Sequence, residues 1–345
     1  MHKQTKHLIS PRQLEEEFPL SEEGKNFIER ARATICRIIC GNDPRTLLIV
    51  GPCSIHDIEM AKVYARRLKK LQDELNDVFF IVMRVYFEKP RTKAGWKGLL
   101  YDPFIDESDQ IETGLKYVRK LLLDITEIGL PIATEIVEPL AFYYLEDLLS
   151  WICIGARTVS SQIHRQIASS FTMPVAFKND TEGNLKSAVN SIVASDTAHS
   201  FFGIDSTGGI AHITSRGNPF GHVVLRGGGG KPNYQREAVQ SATKIMEDEG
   251  LLPRIIIDCS HDNCNKDLNK MTEVFKNVIE QIAENDMIRG VMFESYLEGG
   301  TQPMKKRSEL KPTISITDPC LDWETTASLV TWAHQLLKEK IKIRP

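Results

Sequence analysis

No apolar run in the 345 residues approaches the roughly 20 that a membrane-spanning helix needs, so a helical span is not expected. The first ten residues, Met1 to Ser10, carry charge but no apolar stretch, and no secretory signal is read there. Cysteine is sparse and odd in number, with seven residues scattered at 36, 40, 53, 153, 259, 264 and 320. That pattern argues against a disulfide framework, points to a reducing cytoplasm, and leaves a thiol or two for metal binding or catalysis. An excess of one charge is also missing: 43 Lys and Arg face 46 Asp and Glu, a formal net charge of −3. Neither nucleic acid nor a membrane surface is expected as a partner, and any anion site must be assembled locally. No segment repeats, and low-complexity sequence is confined to the four glycines at 227–230. What is present is 41% hydrophobic and 26% charged residues, an ordinary globular composition with ample material for a core. The length admits two domains or one α/β barrel.

Residues 1–45 read as an N-terminal extension. Ser21 can cap a helix in which Phe27, Ile28, Ala31, Ile35 and Ile38 recur at helical spacing, and Gly41-Asn-Asp-Pro44 stops it. From Thr46 the rhythm changes. Short β-branched or apolar runs at 47–51, 79–85, 132–136, 152–155, 175–177, 223–225, 255–258 and 291–293 read as strands buried on both faces. Helix-period segments at 58–75, 110–129, 140–150, 237–249, 268–284 and 323–340 fill most of the gaps. Eight strands alternating with helices over residues 46–345 predict a (β/α)8 TIM barrel, with a doubly wound open sheet as the alternative. Residues 200–214 read as a β-hairpin inserted before strand six.

In such a barrel the chemistry sits at the C-terminal ends of the strands. Those ends carry Cys53, Arg84, Glu135, Ala156-Arg157, Lys178, Arg226, His261 and Glu294, with Glu88-Lys-Pro-Arg-Thr92 beyond strand two and Asp318 on the last loop. Two groups emerge. Cys53, His261, Glu294 and Asp318 are a mixed soft and hard donor set suited to one divalent transition metal, Mn, Fe, Co, Zn or Cu, rather than Mg or Ca. Taken singly, Cys53 is equally a small buried hydrophobe and His261 an ordinary loop residue. The second group, Arg84, Lys89, Arg91, Arg157, Lys178 and Arg226, would converge on one mouth and calls for substrates bearing phosphate and carboxylate. Gly227–Gly230 would let backbone amides approach an anion, or forms a plain flexible loop; no Lys-Ser/Thr follows it, so it is not a P-loop.

Eight segments together resemble the type I 3-deoxy-D-arabino-heptulosonate 7-phosphate (DAHP) synthases, in the microbial branch regulated by aromatic amino acids. They are Gly51-Pro-Cys-Ser-Ile-His-Asp57, Met83-Arg-Val-Tyr-Phe-Glu-Lys-Pro-Arg-Thr92, Gly95-Trp-Lys-Gly-Leu99, Gly155-Ala-Arg-Thr158, Val175-Ala-Phe-Lys-Asn179, Leu225-Arg-Gly-Gly228, Asp258-Cys-Ser-His261 and Ser315-Ile-Thr-Asp318. The resemblance implies condensation of phosphoenolpyruvate with erythrose 4-phosphate, the first step of the shikimate pathway. It also implies metal ligation by Cys53, His261, Glu294 and Asp318. Arg157, Lys178 and Arg226, with the Ala156 backbone, would hold the phosphate of phosphoenolpyruvate. Arg84 and Lys89 would face its carboxylate and reacting end, near Glu135. Lys89-Pro90-Arg91-Thr92 would hold the aldose phosphate. Lys89 is expected to act as the proton donor, with a pKa lowered by neighbouring arginines.

The family also implies a homodimer or homotetramer formed through the extension, and an aromatic amino acid effector. Three segments depart from the family pattern: Ala141-Phe-Tyr-Tyr144 stands where Thr-Pro-Gln-Tyr is common, Phe201-Phe-Gly-Ile-Asp205 with Ser206-Thr-Gly208 replaces the usual hairpin, and Val159-Ser160 replaces Thr-Glu. The first two put feedback inhibition in doubt. The alternatives are a 3-deoxy-octulosonate 8-phosphate synthase, which would show Lys-Ala-Asn-Arg-Ser at the aldose site, and a non-catalytic relative that binds sugar phosphates or aromatic amino acids.

Overall fold

The structure, a computed structural model, describes residues 5–91 and 95–341. Among the described residues ten strands occur in chain order. They are β1 (Thr46–Gly51), β2 (Phe79–Arg84), β3 (Ile132–Ile136), β4 (Trp151–Ile154), β5 (Val175–Lys178), β6 (Ser200–Ile204), β7 (Ile210–Thr214), β8 (His222–Leu225), β9 (Ile255–Asp258) and β10 (Ile288–Glu294). Eight of them close into a parallel barrel in the cyclic order β1, β10, β9, β8, β5, β4, β3, β2. The open-sheet alternative is excluded by that closure. β6 and β7 pair only with each other, antiparallel, and form the inserted hairpin just before the sixth barrel strand, β8.

The helices are α1 (Pro11–Glu17), α2 (Glu22–Ile39), α3 (Ile58–Leu75), α4 (Ile111–Ile128), α5 (Pro139–Leu145), α6 (Gln162–Ala168), α7 (Lys186–Ser195), α8 (Arg236–Asp248), α9 (Leu268–Ile282) and α10 (Trp323–Ile341). α2 starts where the sequence indicates, with the Ser21 hydroxyl accepting the Gly24 N–H. The segment read as one helix over 140–150 is shorter. α5 ends at Leu145, a single 3-10 turn follows over Glu146–Leu148, and Trp151 already belongs to β4. α7 hides from a period count because serines occupy part of its inner face: Ser191 and Ser195 are buried, and the Ser191 hydroxyl is satisfied by the Val159 carbonyl at 2.6 Å. No helix among the described residues is long and apolar enough to cross a membrane.

Inside the barrel, side chains from all eight barrel strands pack as one cluster: Leu47, Ile49, Val82, Ala133, Trp151, Cys153, Ala176, Val224, Ile256 and Met292. Ile35, Ile38 and Ile39 of α2 join the same cluster, so this helix stoppers one end of the barrel. Each of these buried isoleucines contributes roughly 1.5–3 kcal/mol. The extension is further tied down by polar contacts. The Tyr144 hydroxyl donates to the Ile9 carbonyl, the Arg12 N–H donates to the Ser206 carbonyl on the hairpin, and buried Arg119 donates to the Phe18 carbonyl while pairing through both Nη atoms with Asp147.

Candidate active site

A cavity of about 770 Å³ opens at the C-terminal ends of the strands. Arg84, Lys89, Pro90, Arg91, Glu135, Ala156, Arg157, Lys178, Arg226, His261 and Asp318 all line it. Cys53 and Glu294 lie fully buried beneath them. Thr92 lies outside the described residues.

At the floor, one ligand atom each from Cys53, Glu294 and Asp318 lies within 4.8 Å of the other two. His261 adjoins this trio through Glu294, with Nε2 3.8 Å from Oε1. Three of the four candidate ligands thus share one point and the fourth stands beside it. Sulfur, carboxylate oxygen and a neighbouring imidazole nitrogen are a donor set that fits a divalent transition ion. Each member is already met by a positive group or a donor. Lys89 Nζ donates to Cys53 Sγ at 3.1 Å, Arg84 Nη2 donates to Glu294 Oε1 at 3.0 Å, and Lys266 Nζ pairs with Asp318 Oδ1 at 2.7 Å. Burial pushes the Cys53 thiol up to about 11, with Glu294 adding to the effect and Lys89 opposing it.

The cationic wall stands beside this floor. Lys178 Nζ donates to Glu135 Oε2 at 3.3 Å and lies 3.6 Å from Asp258 Oδ2. Burial alone would raise the Glu135 pKa, but Lys178, Lys89 and His261 together hold it below the usual carboxylate value. Gly155 leaves room for this carboxylate; a Cβ there would collide with it. Arg226 is placed by its own N–H, which donates to Asn179 Oδ1 at 2.9 Å, and its Nη1 reaches Asp262 at 3.2 Å. Arg91 Nε donates to the Trp96 carbonyl at 2.8 Å, fixing the loop after β2.

Two expectations need correction. The Lys89 pKa is raised, not lowered. Burial would lower it, but Cys53, which Lys89 Nζ touches, and the charges of Glu294 and Asp318, all from other elements, outweigh burial. The glycine loop is neither free nor aimed at a ligand. The Gly227 N–H donates to Asn233 Oδ1, the Gly228 N–H to the Lys231 carbonyl and the Gly229 N–H to the Thr181 carbonyl. Gly227 has φ +73° and packs so close to the backbone of Asp262 and Asn263 that a Cβ would not fit.

Sequence reasoning missed Tyr86, Asp258, Asp262 and Lys266. The Tyr86 ring stacks under the Arg84 guanidinium at 4.0 Å, and its buried hydroxyl has no hydrogen-bond partner among the described residues. Its position two residues after Arg84, hence on the same side of an extended chain, was the available signal. Asp258 is itself a strand end, passed over in favour of His261.

The profile of the DAHP synthetase I family matches residues 17–331. The chain belongs to that family. Among relatives, it is 48% identical over 339 residues to the Tyr-sensitive phospho-2-dehydro-3-deoxyheptonate aldolase of Escherichia coli K12, covering 98% of this chain and 95% of that one. It is 45% identical to the Phe-sensitive enzyme of the same organism, with 98% and 97% covered. Identity to its Trp-sensitive enzyme is 42%, with 94% and 93% covered. A solved phospho-2-dehydro-3-deoxyheptonate aldolase from Francisella tularensis SCHU S4 superposes with a TM-score of 0.96 at 38% identity, covering 99% of each chain. A member of this family thus carries the donor trio and cationic wall described above.

Proposed function

We propose that this chain joins phosphoenolpyruvate, erythrose 4-phosphate and water into 3-deoxy-D-arabino-heptulosonate 7-phosphate and inorganic phosphate, as the first step of the shikimate pathway. The observation that carries the reading is the juxtaposition, in one cavity of a DAHP synthetase fold, of a sulfur–carboxylate trio with a wall of Lys and Arg.

Cys53, His261, Glu294 and Asp318 would hold a divalent transition ion, which supplies Lewis acidity toward the aldehyde oxygen of the tetrose. Lys178, Arg226 and Arg157, with the Ala156 backbone, take the phosphate of phosphoenolpyruvate. Arg84 and Lys89 take its carboxylate and reacting end beside Glu135, and Lys89-Pro90-Arg91-Thr92 takes the aldose phosphate. C3 of the enol phosphate forms a bond to the aldehyde carbon, and water adds at the electron-poor C2, releasing a proton that restores the one Lys89 gives up. The hemiketal then collapses with loss of phosphate. The new alkoxide takes a proton from Lys89 Nζ, which carries one at neutral pH because acidic neighbours surround it. Two substrate anions that repel each other are held together by fixed cations, so much of the rate gain is positioning and preorganised charge.

Residues 1–45 act in self-association, as a dimer or tetramer, and in regulation by an aromatic amino acid whose effect is weakened where α5 and the hairpin depart from the family pattern; the effector sensitivity named for the relatives supports an effector. All seven cysteines are unpaired, which supports a reducing cytoplasmic setting. The test is phosphate release by chelator-treated enzyme resupplied with Mn²⁺, given phosphoenolpyruvate with erythrose 4-phosphate or arabinose 5-phosphate. Turnover with the tetrose and little with the pentose is expected. Turnover only with the pentose, or none with either, overturns the assignment.

A further inference from the structure

Asp258 ends β9 and sits where the two parts of the mouth meet. Its side chain is fully buried. Oδ1 accepts the Ser260 N–H at 3.0 Å. Oδ2 lies 2.9 Å from His261 Nδ1 and 3.6 Å from Lys178 Nζ. Among the described residues neither Oδ2 nor His261 Nδ1 has a hydrogen-bond partner of good geometry, and the 2.9 Å approach between them is the shortest contact of either. Ser260 extends the reach of this carboxylate: its hydroxyl accepts the Glu294 N–H at 3.0 Å. Asp258 therefore touches one candidate metal ligand, braces the backbone of a second through Ser260, and faces the lysine assigned to substrate phosphate.

Burying a carboxylate is unfavourable unless cations face it closely. Here the cation is Lys178 of β5, and the ring of His261, from the segment after β9, stands against the other side of the same oxygen. Such a residue fixes its partners as firmly as they fix it.

We propose that Asp258 is a positioning residue that serves metal binding and phosphoenolpyruvate binding at once. With Nδ1 turned to Asp258, His261 presents Nε2 toward Glu294 in the tautomer that a metal ligand needs. The same oxygen restrains Lys178 Nζ from collapsing wholly onto Glu135. The inference rests on the assignment of His261 to the metal and of Lys178 to the phosphate.

Asp258→Asn keeps the size of the side chain and removes its charge. Manganese binding to chelator-stripped enzyme is read by titration calorimetry, and KM is read separately for each substrate at saturating manganese. Manganese affinity is expected to fall by about 10- to 100-fold. KM for phosphoenolpyruvate should rise about tenfold while KM for erythrose 4-phosphate moves less than about twofold. Unchanged manganese affinity, or an equal rise in both KM values, overturns the proposal. Should Asp258→Asn fail to fold, Ser260→Ala carries the test. It should weaken manganese binding through Glu294 and leave KM for phosphoenolpyruvate alone; manganese affinity equal to the parent's overturns the bracing role. A parent enzyme without manganese-supported turnover would instead overturn the assigned reaction, and the role of Asp258 with it.

Discussion

Cys53→Ala removes the sulfur of the donor trio without touching the barrel wall. We expect metal-supported turnover to fall by at least about 100-fold, with a thermal midpoint close to the parent's; retained activity would contradict the ligand assignment. His222 offers a test far from the chemistry. It is fully buried at the start of β8 and accepts the Trp151 Nε1–H at 2.9 Å. Burial holds its pKa down at about 4. The unfolded chain therefore takes up a proton first, and stability falls as pH drops from about 6.5 toward 4. Between pH 7 and pH 5 the loss from this group is about 2 kcal/mol. Denaturant titrations at the two pH values should show a smaller difference for His222→Gln than for the parent. The strand-end residues were legible one by one, because a polar or sulfur-bearing group at the end of a buried strand is conspicuous. Their electrostatics were not: Lys89 has Arg91 beside it in sequence, but Cys53, Glu294 and Asp318 surround it in space.

At the level of elements, α5 and the hairpin bear on regulation. Phe142 is buried and packs against Phe171 with ring centroids 4.3 Å apart, while the Tyr143 hydroxyl crowds Gly203 of β6. The Tyr143 ring fills space between α5 and the hairpin, and Phe142 fills space toward Phe171. We therefore expect phenylalanine, tyrosine and tryptophan at millimolar concentration to inhibit turnover only weakly; strong inhibition by any one of them would refute this. Arg119 of α4 is the clamp between the extension and α5. Replacing it with Ala strands the Phe18 and Tyr144 carbonyls and the partly covered Asp147, at a cost of about 3 kcal/mol. Denaturant unfolding should read that loss, and limited proteolysis should reach residues 11–18 sooner than in the parent. The long helices and the barrel strands could be placed from sequence because their apolar period is uninterrupted. α1 and α6 span seven residues each, too few for a period to declare itself, and α7 buries serine.

Over the whole molecule, a net charge of −3 coexists with a mouth lined by Arg84, Lys89, Arg91, Arg157, Lys178, Arg226 and Lys266. That separation of charge attracts anions from a distance and weakens in salt. Raising ionic strength from about 0.05 M to about 0.5 M should increase KM for both substrates several-fold, with kcat changing less than about twofold; equal KM values at both would argue against a field-guided encounter. The barrel as a whole was readable because eight buried strands alternating with helices permit few closures. The way its last loop meets its first was not, since Asp318 and Cys53 stand 265 positions apart yet the Asp318 N–H donates to Cys53 Sγ at 3.3 Å.

With α2 wedged into the far end, the barrel opens, among the described residues, at the C-terminal ends of its strands. Lys178 stands deep behind it, whereas Arg91 lies at the exposed rim. On the assignment proposed above, traffic through such a vestibule has to queue: the molecule bound innermost would enter before the one held at the threshold, and the sugar product would leave past the same rim.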